Sequence, residues 1–312
     1  MKKLCSTSFT ILLFLYSHAA LTDDLDIYIT SPVSAKARVL FVIDESGSMA
    51  FGDDEGEYLG DDKPNQRTHQ VRKAMRTLIN NPDNEDIFMA IMGFRGKEIK
   101  DNTVTCELKN EGKNCLEAEI VVRAKFLDME EPGTSGALIS AVEKIGHSQS
   151  TPTTSAIHDA VLWFKEGLEA TRANGNQEFL SSPVIDYCQP NHIVLLSDGA
   201  PNTNSVEKNG WGYTNNDLDD RNPDNPNPEC EWTEKTTGHA FEATETPQDG
   251  RCSPDFVAYA RNADLNPSMD GTQFVTTHTV GFHTTPLANN FLAYLAEKGG
   301  GNFFTADNAD NL

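Results

Sequence analysis

Six short apolar runs, interleaved with segments of helical period, constrain the fold of this chain more than any other feature. The first, ARVLFVID (Ala37 to Asp44), has no polar alternation after its arginine, so it has no solvent side. Such a run belongs to a strand covered on both faces, as in a parallel sheet. IFMAIMGF (Ile87 to Phe94) reads as a second buried strand, and IVVRAKF (Ile120 to Phe126), HIVLLSDG (His192 to Gly199), QFVTTHTVGF (Gln273 to Phe282) and NFFTA (Asn302 to Ala306) read as four further strands. Between them, Val71, Ala74, Met75, Leu78 and Ile79 share one helical face. Ala137, Leu138, Ala141, Val142 and Ile145 share a second, and Ile157, Ala160, Val161, Phe164 and Leu168 a third. Pro286 suits the first turn of a last helix carrying Leu287, Phe291, Leu292 and Leu295. Strands alternating with helices predict an α/β fold: a doubly wound, mostly parallel six-stranded sheet with helices on both faces. Long acidic insertions interrupt the alternation at about 96–119 and 200–252, and a shorter acidic loop, DDEGEYLGDDKP, follows the first strand. Loops of such length inside a domain are uncommon and are usually functional or disordered.

The opening stretch MKKLCSTSFTILLFLYSHAA has a basic start, an apolar centre and a small-residue end, which predicts a secretory signal over residues 1–20. A lead-in over 21–36 and one domain over 37–312 then follow. No later apolar run approaches membrane length, so a transmembrane segment is not expected. Export gives the remaining cysteines a disulfide reading: Cys106 with Cys115 around a polar loop, and Cys230 with Cys252 as first choice, with Cys188 able to join either of the latter. A net charge of −22 makes nucleic acid and anionic membrane poor partners and attracts cations.

The chemistry concentrates where strands end. Asp44, Ser46 and Ser48 stand in D-x-S-x-S spacing on the turn leaving the first strand, and Asp198 leaves the fourth in LLSDG. The segment QSTPTTSAIHDA offers further hydroxyls, Thr151 first among them, before a helix. In an open α/β sheet the binding crevice lies at the carboxyl ends of the strands. Two carboxylates with several hydroxyls form a hard-oxygen set suited to Mg²⁺ first, with Mn²⁺ or Ca²⁺ as alternatives. No histidine or lysine stands beside the aspartates and serines of these motifs, and His158 on the helix past the threonine reads as a surface or packing residue, so the expectation is a binding protein and not an enzyme.

The DESGS motif, a downstream threonine and an SDG strand end, in that order, resemble the metal-ion-dependent adhesion site of von Willebrand factor A domains. That resemblance implies a Rossmann-like sheet of order 3-2-1-4-5-6, with strands one and four side by side. It implies that Asp44 anchors the ion mainly through water, that Ser46 and Ser48 bind directly, that Thr151 enters or leaves coordination, and that Asp198 binds directly or through water. The family usually carries Gly-Gly-Thr where this chain has Gln149-Ser150-Thr151, so Thr153 or Thr154 stands as a substitute. A narrower resemblance, carried by the leader, the DDLDIYITSPVSAKARVLFVIDESGSM stretch, SSPVIDYCQPNHIVLLSDGAPN and the acidic insertion, is to the amino-terminal module of type IV pilus tip adhesin and assembly factors of the PilC/PilY kind. It implies a surface or pilus-tip location, minor pilins as partners, a partner or surface offering a carboxylate, and a carboxy-terminal propeller in longer relatives that this chain lacks. A structural pilus or surface component with a non-functional ion site is the alternative, and a metal-dependent hydrolase the remote one.

Overall fold

The computed structural model describes residues 35–52, 63, 65–99, 115–172, 174–201, 253–309 and 312, with backbone alone at 97–99 and 115–117. The expected leader, the acidic loop, most of both insertions, and Cys106, Cys230, Cys252 and the Cys115 side chain lie outside the described residues. Cys188 is half-buried, and its backbone N–H donates to Asp186 Oδ1 at 3.3 Å.

The strands are β1 (Ala37–Asp44), β2 (Ile87–Ile99), β3 (Cys115–Asp128), β4 (Leu168–Arg172), β5 (Gln177–Leu180), β6 (Asn191–Ser197), β7 (Val275–Phe282) and β8 (Gly300–Ala306). They form one sheet in the order β5-β4-β3-β2-β1-β6-β7-β8. The pairs β1–β2, β1–β6, β3–β4, β6–β7 and β7–β8 are parallel, while β2–β3 and β4–β5 are antiparallel. The fold is therefore a mostly parallel α/β sheet, and its expected six strands appear in the expected order.

The sheet has eight strands among the described residues and not six. The helical period of Ile157 to Leu168 predicts a helix through Leu168, but that helix stops at Lys165 and Leu168 opens β4. Gly167 makes the break: its φ is +106°, a left-handed conformation open to glycine, and a Cβ there would meet Leu180 O at 2.5 Å. The chain then turns into β4 and returns as β5, an edge ribbon. The segment 96–119 is also not simply a loop, because β2 and β3 run into it from both sides as a long antiparallel ladder pairing Ile99 with Cys115.

The helices are α1 (Arg67–Ile79), α2 (Thr134–Val142), α3 (Thr153–Lys165), α4 (Ser253–Asn262) and α5 (Pro286–Lys298). The last opens as its proline predicts, with Thr285 Oγ1 accepting the N–H of Ala288. Helix α4 was not read from the sequence. Successive β1 residues point to opposite faces, and the core divides accordingly. Leu40 and Val42 pack with Ile157, Phe164, Val257 and Phe291 of α3, α4 and α5, whereas Val39 and Ile43 pack with Val71, Met75, Leu138 and Val142 of α1 and α2. Burial on both faces holds β1 and β6 as neighbours at the centre, so their carboxyl ends lie side by side. Among the described residues no helix is long and apolar enough to cross a membrane.

Candidate ion-binding site

At the end of β1 the ladder stops and a single 3-10 turn, Gly47–Ala50, reverses the chain. Asp44 is 0% exposed at this point. Its Oδ1 accepts the N–H of Ser46 at 2.7 Å, and its Oδ2 accepts the Ser197 hydroxyl at 2.6 Å from the end of β6. The next residue of that strand end, Asp198, accepts the Ser48 hydroxyl on Oδ1 at 2.7 Å. Ser48 Oγ lies 3.0 Å from Ser46 Oγ. Asp44, Ser46, Ser48 and Asp198 therefore meet as one cluster, because β1 and β6 are adjacent parallel strands ending together.

Electrostatics in the cluster follow from burial. Desolvation first, and the facing charge of Asp198 second, push the Asp44 carboxyl up to about 7, against hydrogen bonding from Ser197 and from Ser46. Burial also raises Asp198, opposed by its hydrogen bonds from Arg67 and Ser48. Ser46 and Ser48, in contact through their hydroxyls, thus link two buried carboxylates that face one cation, Arg67.

Residues 148–150 are held onto this strand end by the backbone. Ser148 N–H donates to Glu45 O at 2.6 Å, Gly47 N–H to Gln149 O at 2.8 Å, and Gly96 N–H to Ser150 O at 2.8 Å. Gln149 adopts a positive φ of 55° to make these contacts. A Cβ on Gly96 would lie 2.2 Å from Ser150 Oγ, so glycine is what lets the loop approach β2. Thr151 follows, 3% exposed, and Thr153 opens α3. The hydroxyls of Ser150 and Thr153 are buried with no hydrogen-bond partner, whereas Thr154 Oγ1 lies 2.8 Å from Ser253 Oγ on α4. Of the two substitutes for Thr151, Thr154 is thus committed to helix packing and Thr153 is not.

The donor set fits a hard divalent cation. It offers two carboxylates and several hydroxyls, two of them buried and unpartnered nearby, and oxygen ligands of this kind suit Mg²⁺, Mn²⁺ or Ca²⁺. Among the described residues no group of three or more His, Cys, Asp or Glu could hold a metal ion, so the candidate set is this mixed one.

Three further residues complete the surroundings of the cluster, and of these Glu45 points away from Asp44 as a tight turn requires. Ser197 orients Asp44, as given above. Glu45, 1% exposed, turns the other way and receives Arg123 Nε on Oε1 at 2.9 Å and Arg123 Nη2 on Oε2, with Arg95 Nη1 at 3.5 Å. Arg95 Nε also donates to Glu119 Oε2 at 2.7 Å. Arginines inside the apolar runs of β2 and β3 were the available signal, since a charge in a buried strand requires a partner. Arg67, the first residue of α1, donates from Nη1 to Asp198 Oδ2 at 2.7 Å. Its signal was its place: a cation in the first turn opposes the helix dipole and so points to a carboxylate elsewhere.

No family model matches the sequence, and no curated protein matches it. Similar solved structures include the PilB minor pilin from Streptococcus sanguinis, 17% identical, with 91% of this chain and 60% of that chain covered at a TM-score of 0.46. The pilus adhesin SpaC from Lactobacillus rhamnosus GG is 13% identical over 90% of this chain and 29% of that chain, at a TM-score of 0.48. The vWF domain of the type V pili tip protein Mfa5 from Porphyromonas gingivalis is 16% identical over 90% of this chain and 92% of that chain, at a TM-score of 0.44.

Proposed function

We propose that this chain is an exported interaction module of the von Willebrand factor A kind. It holds a divalent cation, Mg²⁺ in first place, at the carboxyl ends of β1 and β6 and through it engages an acidic group of a protein or surface partner. The observation that carries the reading is the convergence on Ser48, whose hydroxyl reaches Ser46 Oγ at 3.0 Å and Asp198 Oδ1 at 2.7 Å, joining oxygens from two strand ends at one point. Asp44, Ser46, Ser48 and Asp198 would hold the ion, with Thr151 or Thr153 as the fifth oxygen. When bound, the cation supplies an electrophilic position for an incoming carboxylate.

The chain's own residues do the positioning. Ser197 and the Ser46 N–H fix the Asp44 carboxylate, so it does not rotate away from the cluster. The backbone bonds from Glu45, Gly47 and Gly96 hold residues 148–150, and with them the start of α3, against the strand ends. Binding is favoured over hydrolysis by the state of Glu45, the carboxylate adjacent in sequence: its oxygens are taken by Arg123 and Arg95, which leaves it no role as a general base. A pilus-tip or surface setting, with minor pilins among the partners, comes from the sequence resemblance and belongs to the same proposal.

The test is isothermal titration of the purified chain with Mg²⁺, Mn²⁺ and Ca²⁺ beside Ser46→Ala and Asp44→Ala, with folding followed by circular dichroism. One-site binding lost in both folded variants is the expected result. Binding that both variants leave untouched would overturn the assignment.

A further inference from the structure

Arg67 is a cation bonded directly to the cluster, and its position is built in. The first turn of α1 is pinned to the 3-10 turn that carries Ser48: Arg67 N–H donates to Phe51 O at 3.0 Å, and Thr68 Oγ1 donates to Met49 O at 2.9 Å. From there the Arg67 side chain, 12% exposed, reaches an Asp198 side chain that is fully covered. Its Nε is buried without a hydrogen-bond partner, so the contact through Nη1 is made although a second donor goes unused. A charge placed against a helix dipole, with an unused buried donor, is an expensive way to hold one carboxylate.

We propose that Arg67 is a tethered cation that opposes the ion at Asp198 and leaves the ion-bound site one unit positive, so that it takes an anionic partner group. This rests on the ion-binding reading above. With both carboxylates ionised, Arg67 brings the cluster to one net negative charge, and a divalent ion carries it to one net positive charge. With a neutral residue at 67 the same ion would only neutralise the site, leaving no surplus for an incoming carboxylate. Arg67 therefore trades ion affinity for selectivity toward anions.

The experiment is Mn²⁺ titration of the purified chain, of Arg67→Gln and of Arg67→Lys, with circular dichroism as the folding control. Arg67→Gln keeps a donor for Asp198 without the charge, and its Mn²⁺ affinity should rise about tenfold or more. Arg67→Lys retains the charge and should stay near the parent. A folded Arg67→Gln that binds Mn²⁺ no more tightly than the parent overturns this inference and leaves the ion site standing. No Mn²⁺ binding by parent or variants overturns both. Should Arg67→Gln not fold, the parent alone decides: saturating Mg²⁺ should shift the Arg67 guanidinium NMR signal as its hold on Asp198 loosens, and a signal that stays in place overturns the proposal.

Discussion

Replacing Arg123 by methionine isolates a buried charge beside the cluster. Arg123 is 7% exposed and covers Glu45, 1% exposed, through two hydrogen bonds of which one is 2.9 Å. Removing one member of such a pair strands the other in a medium that solvates it poorly, which typically costs 3–5 kcal/mol. Arg95 lies 3.5 Å from the same carboxylate but is shared with Glu119, so it compensates only in part. The expected loss for Arg123→Met is therefore about 3 kcal/mol, at the lower end of that range. The double variant Arg123→Met with Glu45→Gln removes both charges and should recover more than about 1 kcal/mol of it, because no unpaired ion remains. Urea unfolding at constant pH, read as a double-mutant cycle, measures both quantities. A loss under about 1 kcal/mol for the single variant, or a double variant no better than the sum of the singles, would refute the argument that Glu45 is held as a buried ion by Arg123.

Gly96→Ala places a methyl group 2.2 Å from Ser150 Oγ and 2.8 Å from Ser150 N, so the loop should be pushed off β2 with a stability loss of about 1–3 kcal/mol and weaker Mg²⁺ binding in calorimetry. Mg²⁺ at about 100 times its Kd should raise stability by about 2.7 kcal/mol in thermal unfolding, and Asp198→Asn should abolish the increase. His192 lies 3.3 Å from His278 with its Nε2 buried and unpartnered, and burial followed by the charges of His278 and Arg261 lowers it to about 4. A histidine depressed in the folded state costs stability as pH falls from about 6.5 to about 4. Over that window His192→Gln should gain on the parent by roughly 3 kcal/mol in urea unfolding, with no such gain at pH 8. The comparison with the variant is required, because Asp44, raised to about 7, contributes a slope of the opposite sign.

The centre of the sheet was legible because burial on both faces writes itself as nearly unbroken apolar runs, and β1 and β6 carry such runs. The edge ribbon was not. β4 and β5 read LEATR and QEFL, with exposed glutamates and an exposed Phe179, and they owe their pairing to neighbours and to the turn at Gly167, not to pattern. Helix α4 was hidden behind the long acidic insertion, with Pro254 and Asp255 at its start resembling more of the same loop. At the cluster, Asp44, Ser46, Ser48 and Asp198 could be named because each sits at a strand end that the pattern marks. Arg67 and Arg123 could not be paired with their carboxylates, since Arg67 meets Asp198 across 131 positions and Arg123 meets Glu45 across 78. Contacts of that separation depend on strand order.

The three backbone bonds that staple residues 148–150 to the strand ends also bear on time. A loop already in place need not search for its conformation when an ion arrives, so little ordering remains to slow the encounter. On the proposed reading, the slow event becomes the shedding of water by the ion, which Mg²⁺ does reluctantly. Mn²⁺ and Ca²⁺ should then enter this site faster than Mg²⁺, whatever their relative affinities, and stopped-flow association rates would rank the ions by their chemistry and not by the motion of the protein.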